Sequence, residues 1–157
     1  MLRSKAASYA MLAVVEIARH PCSNGGLLSR EFADLYGLSR AYSAKVMTHL
    51  SRAGILLSGR GPRGGFRLSR DASEINFLEV VEAVAGMLSV QPDLPHLNGR
   101  EHIRAGMNDL FDRSTQQMRD CLRVSTVFEF VRRLELAALA EPTDVRRYAS
   151  RSARSIR

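Results

Sequence analysis

Apolar residues return at helical spacing through most of this chain, and glycine and proline divide the stretches. Tyr9, Met11, Leu12, Val15 and Ile17 mark a first helix over residues 8–19, ended by Pro21 and Asn24-Gly25-Gly26. Leu27 and Leu28 suit a short strand. Ser29 is the residue type that caps a second helix, residues 30–36, with Phe32, Ala33 and Leu35 turned inward. Gly37 stops that helix, Leu38 plugs the turn, and Ser39 caps a third helix over about residues 40–53. Its inner face carries Val46, Met47 and Leu50, and Gly54 closes it.

The pattern then changes. Residues 55–57 and 66–68 read as two short strands around Ser58-Gly59-Arg60-Gly61-Pro62-Arg63-Gly64-Gly65, a turn that cannot be helical. Asn76 with Glu79 makes a capping box ahead of Phe77, Val80, Val81 and Val84, and Gly86 ends that element. Residues 91–99, with Pro92 and Pro95, form a loop. A long helix follows over residues 100–123, striped by Ile103, Met107, Leu110, Phe111, Met118 and Leu122. At roughly 35 Å it is long for a small domain and has little to pack on within one chain. Thr126 and Glu129 open a last helix through Val127, Phe128, Val131 and Leu134, and Pro142 ends it. From Arg146 onward arginine, serine and alanine predominate, the composition of a disordered tail.

A helix, a glycine turn, a second helix and a hairpin make a winged helix-turn-helix. The expected fold class is mainly α with a small β-hairpin: a winged helix-turn-helix domain plus a long dimerisation helix. The divisions are residues 1–86 for DNA binding, a loop at 87–99, dimerisation helices at 100–141 and a basic tail at 142–157. The third helix would place its outer face in a major groove. That face offers Arg40, Tyr42, Ser43, Lys45, Thr48, His49 and Arg52, without one acidic residue. Ser39, Arg40 and Tyr42, at the helix N-terminus, are best placed to approach the duplex. Arg60 and Arg63 would enter a minor groove, where a narrow A·T stretch concentrates negative potential.

Charge supports this. The formal net charge is +7 over 157 residues, which points to an anionic partner, double-stranded DNA first. Cys22 and Cys121 are the two cysteines, in no CxxC pair, so a cysteine-built zinc site is not expected. The start of the chain does not read as a signal peptide and no apolar run reaches membrane-spanning length, so a cytoplasmic protein is expected. No constellation supports an enzyme: the glycine loop lacks a Gly-Lys-Ser/Thr ending, and no nucleophile turn or HExxH occurs.

Several blocks together resemble the IscR/NsrR/CymR-type winged-helix regulators, the Rrf-two family. They are Ser4-Lys5-Ala6 with Tyr9-Ala10, Gly37-Leu38-Ser39, Ser51-Arg52-Ala53-Gly54-Ile55, and Arg60-Gly61-Pro62-Arg63-Gly64-Gly65-Phe66-Arg67-Leu68. The resemblance covers roughly residues 2–135. It implies a homodimer joined through the long helix and a palindromic operator. It also implies Arg60 in the minor groove, Ser39 to Lys45 over the major groove, and Lys5 on the backbone. The leading expectation is a sequence-specific regulator that represses by occlusion. The alternative is a protein-interaction module using a degenerate winged helix.

Departures from the family pattern matter as much. Members that sense through an iron–sulfur cluster carry three cysteines before the long helix, whereas residues 86–106 here contain none. No cofactor is therefore expected. His96, His102 and Asp93 lie in that loop and read more simply as polar surface than as ligands. Ser43 stands where the family usually has an apolar side chain; it either loosens the packing or joins the DNA contacts. Cys121 reads as a small buried hydrophobe, with a redox thiol beside Arg119 and Arg123 as the other reading, and Cys22 as a second candidate thiol.

Overall fold

The computed structural model describes residues 4–20, 26–59, 64–97 and 99–140. Helix α1, Lys5–Arg19, starts a turn earlier than its largest apolar residues suggest. The cause is alanine: Ala7, Ala10 and Ala13 are good helix formers and wholly buried, so the inner face of α1 begins with small side chains. Helix α2, Ser29–Tyr36, differs from expectation at its start. Ser29 lies inside the first turn, and the Glu31 carboxylate reaches back to accept the Leu28 N–H at 3.1 Å. Phe32 and Ala33 are buried as expected, but Leu35 is 60 % exposed.

Gly37 adopts φ 63°, ψ 36°, the left-handed conformation in which a Cβ is costly, and the next N–H, Leu38, returns to the Ala33 carbonyl at 2.8 Å. Helix α3, Arg40–Arg52, follows at once, with the Ser39 side chain accepting from the Tyr42 N–H. Val46, Met47 and Leu50 are buried, as the spacing predicts.

Strands β1, Leu56–Ser58, and β2, Phe66–Leu68, pair antiparallel with Leu56 opposite Leu68 and Ser58 opposite Phe66. Leu27 bridges to Phe66, so the hairpin is sewn to the segment before α2. That approach requires glycine at 26: a Cβ there would meet the Phe66 carbonyl oxygen at 2.7 Å. A 3-10 turn, Ala72–Glu74, leads into α4, Phe77–Ala85. Its capping box forms in full, Asn76 N–H to Glu79 at 2.8 Å and Glu79 N–H to Asn76 at 3.1 Å.

Helix α5, Glu101–Val124, has 24 residues, about 36 Å. Helix α6, Val127–Ala140, turns back onto the first domain. The Val127 N–H donates to the Ile75 carbonyl and the Phe77 N–H to the Ser125 carbonyl, which ties the α5–α6 turn to the entry of α4. Val127 and Val131 join Val14, Ile17, Phe32, Met47, Leu50, Ile75 and Phe77 in one core. Helix α6 thus completes the winged-helix core, and α5 meets it through Leu122.

Candidate nucleic-acid interface

The α2–turn–α3 unit holds one face of α3 in the core and turns the other outward. Arg40, Lys45 and Arg52 are exposed, and Thr48 and His49 are half-buried. The Thr48 hydroxyl donates to the Ala44 carbonyl at 2.8 Å, which occupies its proton. Tyr42 is half-buried and meets Tyr9 of α1 edge to face, ring centroids 5.4 Å apart. Lys5 is exposed and lies one helical turn before Tyr9, so the start of α1 and the start of α3 share a side of the molecule.

Ser43 does not belong to this surface. It is wholly buried, and its hydroxyl has no hydrogen-bond partner among the described residues. The expectation of a DNA contact there is corrected: position 43 shares the inward stripe with Val46, Met47 and Leu50.

Arg40 is exposed but engaged. Its Nε donates to Asp34 Oδ1 at 3.1 Å, and its Nη2 reaches Oδ1 at 2.9 Å and Oδ2 at 3.0 Å. This fork joins the end of α2 to the start of α3. Sequence reading missed Asp34, because no helical spacing rule connects residues six apart across a turn. It missed a second brace as well. The Tyr36 hydroxyl, next to Gly37, donates to the buried Glu16 of α1 at 2.8 Å. Burial first, then this bond to a carboxylate, push the Tyr36 phenol up to about 12.

At the hairpin tip the Gly59 N–H donates to the Gly65 carbonyl at 2.8 Å, closing the base of the turn. Arg60 and Arg63 lie outside the described residues. Arg67, on β2, is exposed.

Helix α5 buries only Thr115 among its residues. Ile103 is 43 % and Leu110 50 % exposed, while Met107, Phe111, Met118 and Leu122 are half-buried. Cys121 is a free, exposed thiol, so its reading as a buried hydrophobe is corrected. The two arginines beside it are engaged elsewhere, Arg119 with Glu82 and Arg123 with Asp120 at 2.9 Å. Cys22 lies outside the described residues.

The start of the α4–α5 loop is stitched to α5. Glu82 accepts from Arg119 and, at 3.1 Å, from the Leu88 N–H; Arg119 also donates to the Leu88 carbonyl at 3.3 Å. The Val90 N–H donates to the Thr115 hydroxyl at 3.2 Å. His96, His102 and Asp93 are exposed, and no group of three or more His, Cys, Asp or Glu is arranged around a common centre among the described residues. No described helix is long and apolar enough to cross a membrane.

The chain matches a family model, Rrf2, described as an iron-dependent transcriptional regulator, over residues 3–133. The transcriptional regulator IscR of Pectobacterium atrosepticum is 30 % identical over 152 residues, covering 90 % of this chain and 87 % of that protein. The solved structure of T. potens IscR is similar in fold, with TM-score 0.69 and 22 % identity, over 88 % of this chain and 92 % of that one. CymR, titled the global cysteine regulator of B. subtilis, has TM-score 0.64 and 22 % identity, over 83 % of this chain and 97 % of that one.

Proposed function

The chain belongs to the Rrf2 family of transcriptional regulators, and on that premise we propose that it acts as a homodimer on a palindromic operator. It is a DNA-binding regulator rather than an enzyme. In the proposed complex α3 enters the major groove of each half-site with Ser39, Arg40, Tyr42, Lys45 and His49. The hairpin tip carries Arg60 and Arg63 into the adjacent minor groove, and Lys5 touches the backbone. Occupancy of the operator blocks transcription, in the cytoplasm where that DNA lies.

The observation that carries this reading is the opposition of the two faces of α3. Val46, Met47 and Leu50 are held in the core while Arg40, Lys45 and Arg52 stand in solvent, and no carboxylate lies on the helix itself. The dimer is supported by α5, whose apolar stripe finds cover on a second copy of the same helix. Cys121, exposed on that helix, is then the candidate redox thiol.

The iron dependence in the family description does not fit the residues present. The loop before α5 contains no cysteine to supply thiolates, and its first residues are fixed to α5 by the contacts of Glu82 and Arg119 with Leu88.

Genomic fragments retained at moderate salt supply the operator. On it, Arg60→Ala is expected to weaken binding by about 1–3 kcal/mol and to relax discrimination at the minor-groove position. Equal affinity of the two proteins would remove the wing from the interface. Retention with no sequence preference would favour the interaction module instead.

A further inference from the structure

We propose that Asp34 is a positioning residue that presents Arg40 to a guanine of the operator, so that the pair reads base identity instead of adding positive charge. This rests on the reading that α3 enters a major groove. Asp34 lies on the last turn of α2 and Arg40 is the first residue of α3, on either side of Gly37-Leu38-Ser39. The carboxylate grips the guanidinium side-on, its Oδ1 accepting from Nε at 3.1 Å and Nη2 at 2.9 Å and its Oδ2 from Nη2 at 3.0 Å. That leaves the opposite edge, led by Nη1, without a partner among the described residues.

The fold has no need of this pair. The two side chains are 70 % and 57 % exposed, so they fill no space in the core. The turn is already closed by the Leu38 N–H on the Ala33 carbonyl, and α3 is already capped by Ser39. Exposed ion pairs of this kind stabilise a fold little.

For simple attraction to DNA the pair is also a poor device. A carboxylate beside a groove-facing helix repels phosphate and cancels the charge of Arg40, so the pair releases few counterions. What it supplies is direction. A guanidinium held through Nε and Nη2 presents Nη1, with its two N–H groups, in a fixed direction toward guanine O6 or N7. Fixing the long side chain before contact also lowers the ordering cost of binding.

The test compares Asp34→Asn, Arg40→Ala and the double variant on the operator, on copies with each half-site guanine replaced, and on unrelated DNA, across a salt series. Arg40→Ala is expected to lose roughly 5- to 150-fold discrimination at one guanine with its salt slope nearly unchanged. Asp34→Asn is expected to lose much of the same discrimination at the same guanine, to bind unrelated DNA more tightly, and to steepen the salt slope by about 1 as Arg40 is freed for phosphate. The double variant should discriminate no worse than Arg40→Ala alone. Full discrimination by Asp34→Asn would overturn the proposal. So would uniform weakening by Arg40→Ala on all sequences with a shallower slope, the behaviour of a phosphate contact. Lys45→Ala and Arg52→Ala separate the two failures. If they too leave binding unchanged, α3 is not in the groove and the parent reading fails. If they weaken binding while Asp34 and Arg40 act independently, only the present proposal fails.

Discussion

Ser43 is a hydroxyl in a place built for a hydrocarbon. It is wholly buried beneath the recognition helix with no described partner for its oxygen. A buried, unsatisfied polar group costs about 1–3 kcal/mol, and alanine is also the better helix former. Ser43→Ala is therefore expected to raise stability by roughly 1–2 kcal/mol in a denaturant melt, with DNA affinity unchanged because position 43 never reaches the duplex. A loss of stability of similar size would show that the hydroxyl has a partner. The outward face of α3 is legible from residue type and spacing alone, but the assignment of each position to a face is finer than that. Ser43 is polar and follows Tyr42, so chemistry places it outside while the helical period places it with Val46, Met47 and Leu50. Asp34 and Glu16 were illegible for a different reason. Their partners, Arg40 and Tyr36, come from other helices, and only tertiary packing brings them together.

At the scale of elements the sequence is a better guide, because caps and glycines act locally. Ser39, Asn76 with Glu79, Gly37 and Gly86 mark helix ends within a residue of where they fall. The exceptions have physical causes. Glu31 takes over the capping work expected of Ser29, and buried alanines extend α1 beyond its larger apolar residues. Helix α5 keeps the length its stripe predicts but buries only Thr115, with Met107, Phe111, Met118 and Leu122 half-covered and Ile103 and Leu110 exposed. The proposed dimer would close on those exposed apolar residues. Leu110→Asp, at a residue 50 % exposed within one chain, should leave the helix folded and move the protein to monomer in sedimentation. A dimer that survives this change would place the interface on another element.

For the molecule as a whole, the winged-helix core and α5 differ in cover: the core is closed by buried apolar residues, whereas α5 buries only Thr115. The winged-helix core is completed by α6, through Val127 and Val131, and Leu122 of α5 packs against it. In the proposed dimer, helix α5 joins two copies and sets the distance between the two α3 helices. In the same proposal the net charge of +7 draws the assembly to DNA, and the paired Asp34 and Arg40 refine which DNA is held. The most direct test of this arrangement is the number of chains bound to an operator fragment, measured by mass, with both half-sites intact and with one destroyed. Two chains on the intact fragment, and a steep loss of affinity when either half is destroyed, is the result predicted. One chain per fragment, binding a single half-site as tightly as the whole, would contradict it.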